Sequence, residues 1–329
     1  MEEALAQLAR PVRLIAVGGT IAMRGEQAVP VLDGAGLVRE VPQLAAVPDL
    51  EAETLLGLPG AHISLRQALE VANRAAELAR AGSGVVITTG TDTMEELAVV
   101  CAMAHGAEAP IVLTGANRPG SAPGADGAAN LIDAVALAGS SAAEGLGAVV
   151  AFGGEIHAAM TVRKVDSTGP AAFGSPTAGP VGRVVEGRVW LHSRPVRPRP
   201  LDVKHLEYRV PIVSTALGDD GDDLALAAGP ADGVVLVALG AGHVSPAVLD
   251  QLQATLERIP VVVTCRPDRS SMLFSTYGFE GAERDIRASG AACAPFLSPP
   301  AARIALLCCL GAELSRDETA AALAVFDAR

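Results

Sequence analysis

Short apolar runs alternate with turns and helical patterns along the first half of the chain. They are rich in β-branched residues and have the length of buried strands. These runs are residues 12–17, 85–88, 111–114 and 148–152. Residues 65–80, which follow Ser64, and residues 130–138 carry apolar positions at helical spacing. This alternation predicts a parallel sheet with helices on both faces and right-handed connections.

The second half of the chain repeats the alternation on a smaller scale. Strands are predicted at residues 210–214, 233–238 and 261–264, and helices at residues 246–257, 300–310 and 316–326. Between the halves, arginines and prolines alternate over residues 193–200, which is typical of an extended, solvated linker. We therefore predict an N-terminal domain over residues 1–192, a linker over 193–210 and a C-terminal α/β domain over 211–329.

Charge and composition exclude several classes of partner. A net charge of −12 with only 3% aromatic residues argues against nucleic acid, and the charge also argues against anionic membrane surfaces. No apolar run reaches the length of a membrane span, and the acidic start lacks a signal-peptide pattern, so we expect a cytoplasmic protein. The five cysteines are predicted to be reduced, and without Cys-x-x-Cys or His-Glu-x-x-His we expect no metal site.

Hydroxyl groups follow two of the predicted strands. Residues 18–22 (Gly-Gly-Thr-Ile-Ala) come directly after the first strand. Residues 90–96 (Gly-Thr-Asp-Thr-Met-Glu-Glu) come after the second and precede a predicted helix. Ligands of open α/β sheets bind at the carboxyl ends of the strands. Thr20, Thr91 and Asp92 are therefore candidate catalytic groups.

Each turn also has a purely structural interpretation. Asp92 has the residue type of an N-cap, and Thr93 with Glu96 matches a capping box. Thr20 is equally compatible with a turn or a helix cap. The glycine pair before it suggests a dinucleotide loop only weakly, because the spaced glycines of that fingerprint are missing. One such turn alone favours capping, whereas two such turns favour a shared site.

Taken together, the two turns resemble the two signature motifs of the bacterial L-asparaginase family. Residues 112–119, 126–131 and 173–182 agree with the resemblance, which extends over nearly the whole chain. It implies a larger N-terminal flavodoxin-like, doubly wound parallel sheet and a smaller C-terminal α/β domain. It also implies hydrolysis of the side-chain amide of asparagine, sometimes glutamine, without metal or cofactor, in a homodimer or homotetramer with active sites between subunits.

The resemblance gives roles to four residues. Thr20 is the expected nucleophile, which forms an acyl-enzyme. Thr91 is expected to activate the attacking water or to relay a proton in the first step. Asp92 is expected to orient this network and to pair with the substrate α-ammonium. Lys164, matched by its spacing before Phe173, is expected to favour loss of a proton from a nearby hydroxyl.

Four further positions are expected to bind substrate. Gly60 and Ala61 stand where the family has polar side chains for the substrate α-carboxylate, which leaves backbone N–H groups as donors. The Ala116 carbonyl is expected to accept a hydrogen bond from the leaving amide. Glu283 matches, by spacing, an acid that a neighbouring subunit lends to the α-ammonium, and a solvated charge beside Arg284 is the alternative.

The chain also departs from the family pattern. Tyr208 and Tyr277 are its only tyrosines, so the family's catalytic tyrosine on the N-terminal loop is absent. That loop, residues 24–31, looks short and mobile, with Gln27 near the equivalent place. We infer a weaker grip on substrate, a different lid or a different amide substrate.

Several hypotheses follow. The first is a cytoplasmic asparaginase, and the second is a related amidase acting on glutamine or a modified amino acid. The third is an amino-acid-binding protein without turnover, which has no need for Thr20, Thr91, Asp92 and Lys164 together. A nucleotide-dependent oxidoreductase is the most distant alternative.

Overall fold

The computed structural model describes residues 1–25 and 29–327, and the chain divides into two compact units, residues 1–200 and 201–329. The strands of the first unit are β1 (Val12–Gly18), β2 (Met23–Arg24), β3 (Val29–Pro30), β4 (Leu50–Leu58), β5 (Gly84–Thr88), β6 (Ile111–Thr114), β7 (Ala148–Phe152), β8 (Glu155–Ala158), β9 (Arg163–Lys164), β10 (Phe173–Gly174), β11 (Gly182–Val185) and β12 (Arg188–Leu191). Its helices are α1 (Glu2–Leu5), α2 (Gly34–Arg39), α3 (Leu65–Arg80), α4 (Met94–Ala104) and α5 (Gly127–Gly139). Turns of 3₁₀ helix lie at Thr20–Ala22, Pro42–Ala46, Gly60–His62 and Ser141–Ala143.

One eight-stranded sheet organises this unit, in the order β12-β11-β8-β7-β6-β5-β1-β4. Five neighbouring strands of this sheet run parallel to one another: β4, β1, β5, β6 and β7. Strands β8, β11 and β12 add an antiparallel edge. Numbered along the chain, the parallel strands have the order 2-1-3-4-5, which is the flavodoxin-like arrangement. The predicted flavodoxin-like fold is confirmed.

Helices cover both faces of the parallel strands. On one face α5 packs against β5, β6 and β7, and Leu131 and Val135 share a core cluster with Val86 and Val112. The intervening side chains, such as that of Ile87, are also buried and point to the other face, where α3 packs against β5 and α4 against β7. Burial on both faces explains why these strands read as continuous apolar runs.

The second unit has a smaller parallel sheet in the order β13-β14-β15-β16. Its strands are β13 (Ile212–Ser214), β14 (Val234–Ala238), β15 (Val261–Cys265) and β16 (Ala292–Cys293). Its helices are α6 (Asp222–Ala228), α7 (Pro246–Leu256), α8 (Glu283–Ala288), α9 (Pro299–Gly311) and α10 (Arg316–Leu323), with a 3₁₀ turn at Ala324–Phe326. The predicted smaller α/β domain is confirmed as a fold.

The arginine- and proline-rich segment has neither helix nor strand, yet it is not simply solvated. Arg194 donates to the Glu144 carbonyl at 2.6 Å, and Arg197 donates to the Ala107 carbonyl at 3.1 Å. These bonds hold the segment against the rest of the first unit. Within residues 1–25 and 29–327, no helix is long and apolar enough to cross a membrane.

Candidate active site

Three glycine-containing turns meet at the carboxyl ends of β1, β4 and β5. Gly19 has a φ of 79°, and a Cβ there would lie 2.3 Å from the Gly90 nitrogen. A Cβ on Gly90 would lie 2.7 Å from the Gly60 nitrogen. Only glycine permits backbones to approach this closely. The structure therefore brings Thr20, which opens a 3₁₀ turn next to Gly19, close to the turn that carries Thr91.

Lys164 joins this group from a separate two-stranded ribbon. It lies on β9 and pairs with Phe173 on β10, which explains the spacing that the sequence showed. Its Nζ donates to Thr91 Oγ1 at 2.9 Å and to Asp92 Oδ1 at 2.7 Å. The Thr91 side chain is nearly buried, while 70% of the Asp92 side chain is exposed. A fixed cation thus contacts a shielded hydroxyl, and an accessible carboxylate lies beside it.

The capping interpretation of this turn is wrong. Helix α4 begins at Met94 with Thr93 as its N-cap, and the Thr93 side chain makes no capping hydrogen bond. Instead, Thr93 Oγ1 donates to the Gly60 carbonyl at 3.1 Å. Asp92 pairs with Lys164, so the side chains that resemble caps connect the turn to other loops.

Asn117 links Thr91 to two further loops. Thr91 Oγ1 donates to Asn117 Oδ1 at 3.5 Å, and Asn117 Nδ2 donates to the Gly169 carbonyl at 2.8 Å. The Asp126 carboxylate accepts from the Asn117 backbone N–H at 3.0 Å and from Asn130 Nδ2 at 3.1 Å. Thr91 therefore lies between a donor, Lys164, and an acceptor, which sets the direction of its hydroxyl hydrogen.

The predicted substrate-binding positions of the first unit lie around this group. Gly60 and Ala61 form a 3₁₀ turn after β4, and Ala61 is exposed. A Cβ on Gly60 would lie 3.1 Å from Thr93 Oγ1, so a larger residue would crowd that hydroxyl. Ala116 is buried, and a Cβ on Gly127 would contact both Ala116 and Ile21. The Ala116 loop and the Thr20 turn thus share a neighbour.

Glu283 lies in the second unit and is the first residue of α8. Its side chain is completely buried, so the alternative of a solvated charge is wrong. Oε1 accepts from the backbone N–H groups of Thr276 and Tyr277 at 2.6 and 2.9 Å, and Oε2 lies 3.3 Å from His243 Nε2. Burial opposes ionisation of Glu283, but these amides and His243 outweigh it and lower its pKa. Its role toward a neighbouring subunit stays a prediction.

Strands β2 and β3 pair with each other in antiparallel fashion within the segment that the sequence predicted as a mobile loop. Arg24 Nη1 donates to the Ile21 carbonyl at 3.1 Å, and the Arg24 guanidinium also pairs with Glu40. The base of the loop is therefore fixed to the turn after Thr20. Gln27, which was placed near the missing tyrosine, lies outside the described residues.

Sequence reasoning missed the residues that support the catalytic candidates. Asn117 and Asp126 stand in the motifs that carried the family resemblance, but neither had a role. Glu95 also stands in a motif, and its Oε2 accepts from the Lys164 backbone N–H at 2.6 Å. The only sequence signal for these residues was their presence within motifs, since their partners are distant along the chain.

Comparisons with known proteins find the same family for both halves of the chain. The family described as Asparaginase, N-terminal, matches residues 11–197, and the Glutaminase/Asparaginase C-terminal domain matches residues 209–323. A probable L-asparaginase of Deinococcus radiodurans is 36% identical over 93% of this chain and 94% of its own length. L-asparaginase 2 of Escherichia coli is 30% identical over 92% of this chain and 89% of its own length.

A solved structure extends the likeness to three dimensions. The probable cytoplasmic L-asparaginase of Campylobacter jejuni superimposes with a TM-score of 0.83 at 30% identity, over 95% of this chain and 99% of that one. Both halves of the chain match the corresponding family domains, and relatives at 30% identity or more cover nearly its full length. The chain therefore belongs to the asparaginase family.

Proposed function

We propose that this protein is an L-asparaginase, which hydrolyses the side-chain amide of L-asparagine to L-aspartate and ammonia. One observation carries the proposal most directly. Lys164 Nζ contacts both the shielded Thr91 hydroxyl and the exposed Asp92 carboxylate, on a turn whose backbone packs against the turn of Thr20. The family membership of the chain supports the same reaction.

In the first half-reaction, the Thr20 oxygen attacks the amide carbon of the substrate. The proton from Thr20 passes to the leaving nitrogen, the C–N bond breaks and ammonia is released. Thr20 then carries an aspartyl ester. A threonine hydroxyl is a weak nucleophile unless a neighbouring group accepts its proton. Thr91, hydrogen-bonded to Lys164, is the proposed relay for this proton. Backbone N–H groups of the two packed turns are the proposed donors to the developing oxyanion.

In the second half-reaction, water attacks the ester carbon and aspartate leaves. Thr91 orients this water, and its proton returns to Thr20 as the ester bond breaks. The Lys164 ammonium stabilises negative charge that develops on Thr91. Positioned proton transfer of this kind contributes about 10²–10⁴-fold in rate.

Substrate orientation is assigned to groups around the catalytic turn. The exposed carboxylate of Asp92 pairs with the α-ammonium, and the backbone N–H groups of Gly60 and Ala61 bind the α-carboxylate. The Ala116 carbonyl accepts from the amide that leaves. Glu283 is proposed to serve a neighbouring subunit, either directly or by holding the Thr276–Tyr277 backbone.

We also propose a cytoplasmic homodimer or homotetramer. Phe274, Tyr277 and Phe279 are 52%, 44% and 49% exposed, and such apolar groups on one segment favour contact with another subunit. The Campylobacter jejuni protein is described as cytoplasmic, whereas a Haemophilus influenzae relative is described as periplasmic. Light scattering on the purified protein tests the assembly.

The function is tested by ammonia release from L-asparagine and L-glutamine, measured side by side with wild type and Thr20→Ala. Asparagine turnover that Thr20→Ala abolishes supports both the reaction and the nucleophile. Well-folded wild type that releases ammonia from neither amide contradicts the proposal. A preference for glutamine contradicts only the assignment of asparagine as the substrate. The glutamine assay is informative because some relatives, such as the one from Pseudomonas fluorescens, are named glutaminase-asparaginase.

A further inference from the structure

Glu95 is attached to the backbone of Lys164. It is the second residue of α4, and its Oε2 accepts from the Lys164 N–H at 2.6 Å. An ionised carboxylate makes such a bond short and about twice as strong as a bond between neutral groups. The two residues are 69 positions apart in the chain, so the contact joins two separate segments.

The strand that carries Lys164 is short. Strand β9 has two residues and lies outside the eight-stranded sheet, where it pairs only with β10 among the described strands. The Val165 and Asp166 N–H groups also donate to the Ala172 carbonyl, at 2.8 and 3.2 Å. A short two-stranded ribbon is marginally stable in water. Contacts from outside the ribbon therefore contribute to fixing the position of Lys164.

Glu95 supplies such a contact from the same segment that receives the lysine side chain. Lys164 Nζ bonds Thr91 and Asp92 just before α4, and the Lys164 N–H bonds Glu95 in the first turn of α4. Lys164 is thus held to one rigid segment at both ends of its side chain. Burial raises the pKa of Glu95, and the bond from the Lys164 amide opposes that shift.

We propose that Glu95 is a positioning residue for Lys164: it holds the backbone from which Nζ reaches Thr91 and Asp92. It acts through Lys164 and does not touch substrate. The inference rests on the proposed catalytic role of Lys164. Misplacement of a catalytic group by about 1 Å can lower the rate about 10²-fold.

Three substitutions separate position from charge. Glu95→Gln keeps a side-chain oxygen at the same reach but removes the charge, whereas Glu95→Asp keeps the charge and withdraws it by one methylene. Glu95→Ala removes both. Positioning predicts that kcat falls about 10–100-fold in Glu95→Ala and Glu95→Asp and only a few-fold in Glu95→Gln, with KM near the wild-type value. The exposed Glu70→Ala on α3 is the matched control.

Hydrogen exchange at the Lys164 amide, followed by mass spectrometry, tests the contact without reference to activity. We expect exchange about tenfold faster in Glu95→Ala and Glu95→Asp, which corresponds to the loss of about 1.4 kcal/mol, and a smaller increase of about two- to threefold in Glu95→Gln, which keeps the bond but loses the charge. Unchanged exchange in Glu95→Ala overturns the proposal, as does a Glu95→Asp enzyme more active than Glu95→Gln. Absence of turnover in wild type refutes the proposed function instead. The exchange measurement then still shows whether Glu95 holds the Lys164 backbone.

Discussion

Replacement of Lys164 by Met removes Nζ but keeps a side chain of similar length. The change leaves Thr91 Oγ1 without its donor at 2.9 Å and Asp92 without its partner at 2.7 Å. Because the ammonium is proposed to stabilise charge on Thr91, we expect kcat for asparagine to fall about 10²–10⁴-fold. That range corresponds to about 3–5 kcal/mol of transition-state stabilisation.

The same substitution should affect stability little. The Asp92 side chain is 70% exposed, and an exposed ion pair contributes about 0–1 kcal/mol to folding. We expect the melting temperature to change by no more than about 4 °C. Loss of activity without loss of stability therefore separates a catalytic role from a structural one.

The chain offers a matched control for this experiment. Lys204 is the only other lysine, and it forms an ion pair with Asp202 in the second unit. Lys204→Met removes a similar pair, and we expect kcat and KM to stay at wild-type values. Steady-state ammonia release, with thermal unfolding of each variant, provides both measurements. A wild-type kcat in Lys164→Met refutes the reasoning. A loss of activity that is fully explained by the fraction of unfolded protein refutes it as well.

Three further predictions concern substrate grip, hydroxyl orientation and acid stability. Ala61→Gln adds a donor at an exposed position near the proposed carboxylate site, so KM for asparagine should fall about two- to tenfold with kcat unchanged; an unchanged KM contradicts the assignment. Asn117→Ala removes the acceptor of the Thr91 hydroxyl and should lower kcat about five- to tenfold. Steady-state kinetics measures this change, and a wild-type kcat contradicts the prediction. Burial, helped by the charge of Arg197, lowers the pKa of His105 to about 4 from 6.5, so protons bind the unfolded chain more readily than the folded one. The free energy of unfolding should therefore fall by up to about 3 kcal/mol as pH drops from about 6.5 toward 4, and urea unfolding of His105→Gln should show a flatter pH dependence; equal slopes contradict the assignment.

Buried parallel strands were predictable from sequence, whereas the edge strand β4 was not recognised as a whole. Strands β5, β6 and β7 are buried along their entire length, so each reads as an uninterrupted apolar run. Strand β4 is only partly buried and includes Glu51, Glu53 and Thr54, so it lacks the uninterrupted apolar run that marks the buried strands. The strand exists because it pairs with β1, from Val12 opposite Leu50 onward, and pairing leaves no local signal.

The catalytic candidates were predictable as residues but not as a connected group. Lys164 emerged only from its spacing to Phe173, and the structure explains that spacing by the pairing of β9 with β10. Glu95 could not be assigned, because its contact depends on the path of a segment 69 residues away. The Thr93–Glu96 pattern was misleading, because tertiary contacts engage the Thr93 side chain that the pattern assigns to a cap.

The central claim is that Thr20 carries the acyl group during turnover. Rapid quenching of the enzyme with L-asparagine, followed by peptide mass spectrometry, tests it directly. We predict an adduct of one aspartyl group on the peptide that contains Thr20, its absence in Thr20→Ala, and its accumulation in Thr91→Val if Thr91 activates the second-step water. Ammonia release that persists in Thr20→Ala, or an adduct on Thr91 instead, would contradict the account.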